Sequence, residues 1–437
     1  MKKELHLNLF IHSRGHHEAS WRDPATTALP LTDIRYYIDC AHKAEAAHFD
    51  SIFLADLLTL PDDIDSAARC WLEPVTTLAA LAVATTHLGL IATASTTYSE
   101  PFNLARQFAS IDHVSGGRAG WNIVTSFSPA AARNFGNTGK PDHSLRYEMG
   151  EEFVTIAKEL WDSWDDDAVL DDRAGGVYVQ KDRVRSINYA GMHYKVAGPL
   201  NLPRSPQGRP VLVQAGSSES GMNFAARHAE AVFTAHLEKS TAQDFYRDLK
   251  TRVIAAGRPA DQSLVLPGLS PMIGGTENEA QKLLLDLDDL SDPEVGRKRL
   301  SANFGGHDFS HLPLDRPLRM EDFPDPGKNE AARSRSALAV SAVRQEGLTL
   351  RQLLAKFAGA RGHFVYAGTP EQVADLIEDW VDTGAADGFN IMPPLLPRML
   401  DAFADEVVPL LKRRGRFRTE YTGTTLREHF GLARPPS

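Results

Sequence analysis

Residues 73–126 read EPVTTLAALAVATTHLGLIATASTTYSEPFNLARQFASIDHVSGGRAGWNIVTS, and two periods alternate along them. Glu73–Ala84 and Asn103–Val114 space their apolar residues as helices do, whereas LGLIATAS (88–95) and RAGWNIVTS (118–126) are short, nearly continuous apolar runs. Such runs fit strands buried on both faces of a parallel sheet. Parallel strands need long crossovers, which the helices supply. The alternation extends both ways. Upstream lie strand Leu5–Ile11, helix Leu31–Phe49 with Thr32 placed as N-cap, and strand SIFLAD (51–56). Downstream come helix Arg146–Trp161, strand VLVQAG (211–216), helix Glu219–His228, strand AVFTA (231–235) and helix Ala242–Ala256. Strand Leu264–Ile273, strand GFNIM (388–392) and a closing helix Pro397–Arg413 complete the set. Eight strands with helical crossovers predict an α/β chain folded as a (β/α)8 TIM barrel.

Such a barrel needs about 250 residues, and the chain has 437. A single domain over 1–437 therefore carries long insertions after strands four and seven: Ser163–Arg209, rich in Asp, Gly and Pro, and the polar Ser291–His363. Long barrel insertions usually act as lids or binding loops. The basic, Pro-containing tail 414–437 reads as a surface wrap. Thr369-Pro370-Glu371-Gln372 spells a capping box with Pro at the first helical position.

Composition removes several classes. With 42% hydrophobic and 24% charged residues the chain is neither disordered nor fibrous. A net charge of −10 lacks the basic face of a nucleic-acid binder. Two cysteines, Cys40 and Cys70, exclude a disulfide framework and a four-thiolate zinc site. Polar residues interrupt the start, so no signal peptide is expected. The charge-free run between Glu73 and Glu100 is long enough for a membrane, but it holds nine Ser/Thr residues and changes period midway. The expectation is a cytoplasmic protein without membrane or nucleic-acid partners.

Barrel chemistry sits at the carboxyl ends of the strands. Those ends carry His12-Ser13-Arg14-Gly15-His16-His17, Asp56, Thr93–Thr97, Asn122 with Thr125 and Ser126, Gln214-Ala215-Gly216-Ser217-Ser218, His236 and Asn390. A Gly-Ser-Ser turn opening a helix gathers backbone N–H groups and hydroxyls into an anion site, although an ordinary Ser N-cap would look the same. Asp56, ending an apolar run, must be hydrogen-bonded, either to a loop or to a ligand. His143 and Tyr147 share a helix face if the helix begins by His143, with Arg146 beside them; a solvated helix start is the alternative. Asp165–Asp167 read as a solvated acidic loop. The His cluster raises a metal site, but strand four offers no Lys or His and strand eight no acid, so none is assigned. Arg14, His16 and His17 fall on a loop over the barrel mouth. A guanidinium there could recognise an anionic or strongly polar substrate group, unless Arg14 pairs with Glu18 or Asp23.

Several stretches together resemble one family: FDSIFLAD (49–56), STTYSEPFNLARQFASIDHVSGGRAGWNIVTS (95–126), NFG (134–136), HSLRY (143–147), VQAGSSESG (213–221), HAEAVF (228–233) and DGFNI (387–391). They run in order along nearly the whole chain. The chain resembles flavin-dependent monooxygenases of the bacterial-luciferase superfamily, in the branch of nitrilotriacetate monooxygenase component A, dibenzothiophene-sulfone monooxygenase and long-chain alkane monooxygenase. The resemblance implies reduced FMN (FMNH2) bound at the carboxyl face, with O2 as cosubstrate. Asp56 matches an aspartate near the flavin, Thr93 a strand-three residue by the ring, and Asn122 an asparagine where oxygen is activated. Ser126 and Phe127 match a stretch lining the ring, Phe127 at a position that varies. His143, Tyr147, Ser217 and Ser218 match the phosphate site; Ser144 stands where the family often has Asp. The implied enzyme is a two-component monooxygenase, a homodimer or homotetramer supplied by a separate NAD(P)H:flavin reductase. Its implied substrate is a small organosulfur or amine compound, often cleaved at C–S or C–N. An F420-dependent oxidoreductase of the same superfamily, or a metal-dependent barrel hydrolase, are the alternatives.

Overall fold

The computed structural model describes residues 4–60, 64–126, 128–136, 143–324 and 333–436. Its main sheet contains β1 (His6–Ile11), β2 (Ser51–Leu54), β3 (Gly89–Ser95), β4 (Ala119–Val124), β5 (Val211–Gln214), β6 (Ala231–Thr234), β7 (Leu264–Ile273), β8 (Phe364–Gly368) and β9 (Gly388–Ile391). Every pairing in it is parallel. β1 pairs with β2 on one side and β9 on the other, β9 with β7, and β7 with β6, so eight strands close into the predicted barrel. β8 is an addition. It lies along Leu269–Ile273, the far half of an unusually long β7. FVYAG (364–368) is only half-buried except at its last residue, as suits a strand outside the closed barrel.

The barrel interior is filled by alternating residues. Phe10, Phe53, Ile91, Val213, Phe233, Leu266 and Met392 belong to one buried cluster, with Phe10 and Phe53 ring centroids 4.6 Å apart. Toward the amino end, Ser51 donates to Asn8 and Asn8 donates to Asn390, a polar layer that satisfies itself. The tail does more than wrap the surface. Leu426, Phe430 and Leu432 enter the interior cluster and plug the amino end of the barrel. Burying three such side chains contributes roughly 1.5–3 kcal/mol each. Arg418 secures the plug by reaching Asp50 at 2.6 Å.

Local signals set the helix ends. The helix Ile34–Ala46 is capped by Asp33, whose carboxylate accepts from Arg35 N, and not by Thr32. Glu73 caps Pro74–Ala84, so the charge-free run resolves into helix, turn and β3. Thr369 and Gln372 form the predicted capping box. Among the described residues, no helix is long and apolar enough to cross a membrane.

The insertions are structured. Residues 163–209 hold two short antiparallel hairpins. Their acidic loop is ion-paired: Asp165 with Arg185, Asp166 with Arg204 and Arg434, and Asp167 with Arg183. Residues 291–363 contain helices Pro293–Asn303, Arg333–Glu346 and Leu350–Ala360. Leu300, Phe304, Phe309, Phe323 and Leu353 give this segment a hydrophobic cluster of its own.

Candidate active site

The carboxyl ends of β3 and β4 meet in register, Thr93 opposite Asn122. Asn122 Nδ2 donates to Thr93 Oγ1 at 2.8 Å, and both residues are buried. Asn122 Oδ1 is buried without a hydrogen-bond partner among the described residues. An unmet buried acceptor costs about 1–3 kcal/mol, which a bound donor would recover. One layer outward, Ser95 and Ser126 hydroxyls lie 2.8 Å apart, and Thr97 N donates to Ser95. Ser126 is thereby held beside β3. Phe127 lies outside the described residues. Asp56 is half-buried and accepts from Leu57 N at 2.8 Å, so it caps its own loop. Burial, reinforced by the nearby Glu73, raises its carboxyl pKa.

The turn after β5 is the most built part of the site. Ser218 is the N-cap of Glu219–His228, accepting from Gly221 N at 3.1 Å. The ordinary capping role is therefore real. Among the described residues, helix His143–Trp161 begins at His143, which puts the rings of His143 and Tyr147 4.9 Å apart. A Cβ built on Gly221 would lie 3.1 Å from both Ser218 Oγ and Tyr147 Oη. The Tyr147 hydroxyl thus reaches the first turn of the helix that Ser218 caps. Backbone N–H groups, the helix dipole and the hydroxyls of Tyr147 and Ser218, with Ser217 on the same turn, are donors that could hold an anion. Those donors, and the unmet acceptor of Asn122, fit a phosphorylated flavin. Beside them, the buried guanidinium of Arg146 donates to Thr125 O at 2.9 Å and braces the end of β4.

The loop after β1 differs from its sequence reading. His16 Nε2 bonds Phe10 O at 2.9 Å, and its Nδ1 faces Arg361 Nη2 at 2.9 Å. His17 Nε2 bonds Asp288 Oδ1 at 3.0 Å, and its Nδ1 accepts from Ala19 N at 3.2 Å. Both imidazoles are buried and internally engaged. Arg14 is half-buried, and neither Glu18 nor Asp23 holds it: Glu18 pairs with Arg299, and Asp23 accepts from Ala25 N. The residue that organises this mouth is Arg361, from the far end of the second insertion. Nothing in AGARGHF (358–364) distinguishes it from a surface cation. His236 at the end of β6 is spent on Thr234 and Thr241, and burial pushes its pKa down to about 4. Among the described residues no group of three His, Cys, Asp or Glu side chains is arranged to hold a metal.

The luciferase-like monooxygenase family model matches residues 6–387. The chain is 46% identical over 434 residues to N-acetyl-S-(2-succino)cysteine monooxygenase of Bacillus subtilis (strain 168), covering 99% of this chain and 98% of that protein. It is 44% identical over 445 residues to nitrilotriacetate monooxygenase component A of Aminobacter aminovorans, covering 99% and 97%. A riboflavin lyase, solved with a modified FMN and its substrate riboflavin, superposes with a TM-score of 0.87 at 31% identity, covering 100% of this chain and 97% of that one. With the barrel and full-length similarity in agreement, the chain belongs to the luciferase-like monooxygenase family and is a flavin-dependent monooxygenase.

Proposed function

We propose that this enzyme uses O2 and reduced FMN, delivered by diffusion from a separate NAD(P)H:flavin reductase, to oxygenate a small organosulfur or amine substrate. The observation that carries the cofactor reading is the convergence of Tyr147 Oη and Ser218 Oγ on the first turn of Glu219–His228. One phosphate cradle suits FMN; a dinucleotide flavin needs a second phosphate site. His143, Tyr147, Ser217 and Ser218 would hold the phosphate. Asp56, Thr93, Ser126 and Asn122 would face the ring, with Asn122 oriented by its bond to Thr93. When bound, reduced FMN supplies the oxygen-activating chemistry. The chain's part is to orient, to donate and accept at fixed positions, and to keep water out. The corner Arg361-Gly362-His363, through which the second insertion returns to the barrel, serves that last task. A relative named for a thioether and another named for a tertiary amine support a substrate whose carbon is bonded to sulfur or nitrogen. The relative named as a component A supports a separate reductase. Exposed Val83 and Val114 on neighbouring helices offer apolar surface for a homo-oligomer.

Anaerobic titration with reduced FMN and reduced FAD tests the cofactor. Reduced FMN should bind more tightly, and equal or tighter FAD binding would refute the reading. Oxygen consumption with FMN, NADH, a generic flavin reductase and a panel of thioethers and amines then tests the reaction.

A further inference from the structure

Glu151 and Lys158 share one face of helix His143–Trp161, and His228, the last residue of helix Glu219–His228, joins them. Glu151 Oε2 is 2.6 Å from His228 Nε2, and Lys158 Nζ is 2.9 Å from His228 Nδ1. A carboxylate only accepts, so Nε2 carries the ring proton, and the Lys158 N–H donates to the lone pair on Nδ1. Burial outweighs the bond to Glu151 and lowers the His228 pKa, which keeps the ring neutral. Phe224, with its ring centroid 5.0 Å away, holds that ring in place.

Lys158 is half-buried, and among the described residues its amine meets this imidazole and no carboxylate. Burial first, then Arg209, lowers its pKa to about 8; Arg258 acts in the same sense, Glu230 and Glu151 in the other. Roughly a tenth of it is therefore the free amine at pH 7. The surroundings suit an anion on this nitrogen better than a cation. Arg258 donates to Ala225 O, Ala226 O and Gln262 O, and among the described residues no carboxylate pairs with it. Arg209 Nη2 holds Asp162 at 3.1 Å, while its Nε is buried without a partner. The two acids near Lys158 are already taken, Glu230 by Arg427 and Glu151 by Arg227.

We propose that Lys158 is a carbamylation site, at which the amine takes up CO2 reversibly. The Nζ lone pair forms the N–C bond, and one C=O electron pair of CO2 moves onto oxygen to give a carboxylate. Nζ passes its proton to His228 Nδ1, and Glu151 holds the imidazolium until the proton reaches solvent. CO2 is small enough to enter beside a half-buried amine. The product exchanges a cation for an anion in the field of Arg209 and Arg258. The site lies farther along the helix that carries His143 and Tyr147 and takes no part in holding the flavin.

The test equilibrates the full-length protein with isotope-labelled bicarbonate at mildly alkaline pH, traps carbamates with triethyloxonium and maps the labelled ethyl carbamates by peptide mass spectrometry. Occupancy at Lys158 should exceed that at exposed Lys181 and Lys195 at least about threefold, and unfolding in urea before labelling should abolish the excess. Arg258→Gln, with folding checked by a thermal melt, should lower occupancy at Lys158 at least about threefold and leave Lys181 unchanged. No adduct at Lys158, an occupancy no higher than at Lys181, the same excess after unfolding, or a folded Arg258→Gln protein with unaltered occupancy would overturn the site.

Discussion

Tyr147→Phe removes one hydroxyl and little else. Its ring stays packed between His143, centroids 4.9 Å apart, and Phe224 at 6.0 Å. The hydroxyl makes no hydrogen bond among the described residues, yet it lies 3.1 Å from where a Cβ of Gly221 would stand, at the first turn of the helix capped by Ser218. Folding should therefore shift by no more than about 0.5 kcal/mol, the usual range where no structural feature is broken. A hydrogen bond to a charged phosphate is worth about 1.5–3 kcal/mol, so reduced FMN should weaken roughly 10- to 150-fold. Riboflavin, which has no phosphate, should be unaffected. The assay is paired anaerobic fluorescence titration of reduced FMN and reduced riboflavin, with a thermal melt on the same samples. Ser218→Ala is less clean, because it also removes an N-cap worth about 1 kcal/mol of stability. Equal weakening of both ligands would make Tyr147 a packing residue. No change in either would move the phosphate elsewhere.

Other expectations follow from the same contacts. Gly268→Ala should cost about 1–3 kcal/mol by overpacking, because its Cβ meets His363 and Met392; an unchanged melting temperature would mean the corner yields freely. Phe430→Ala, in the barrel plug, should lower stability by about 3–5 kcal/mol in urea melts, and a loss below about 1 kcal/mol would contradict a tail that is part of the core. Asn122→Ala should lower kcat at least about tenfold while reduced-FMN affinity changes less, the pattern of an interaction made beyond the ground state. Burial pushes the Asp50 carboxyl up, but Arg418, His6 and Leu7 N outweigh it and hold its pKa below the ordinary range. Its stabilisation is thus full above the usual carboxylate pKa and lost as pH falls through the lowered one. Asp50→Asn should flatten the stability profile at acidic pH, and an unaltered profile would mean that other acids carry it.

What could be read from the chain alone was local. β7 and helix Glu219–His228 occupy the predicted residues, because an unbroken apolar run and a Ser N-cap are properties of neighbouring residues. The strand ends that carry Asn122, Thr93 and the Gly-Ser-Ser turn followed from those periods, since barrel topology turns each strand end toward one face. The pairing of Tyr147 with the turn after β5 needed the helix to start at His143 and to cross over that turn, which no spacing specifies. The tail's role was hidden because Leu426, Phe430 and Leu432 meet partners some two to four hundred residues earlier in the chain. His16 and His17 looked like ligands because an imidazole offers the same two nitrogens to a substrate or to its own protein. Their partners in the fold, Arg361 and Asp288, come from another part of the chain. Arg361 itself is ordinary by composition; only the folded insertion, admitted by a glycine on β7, carries that cation to the barrel mouth.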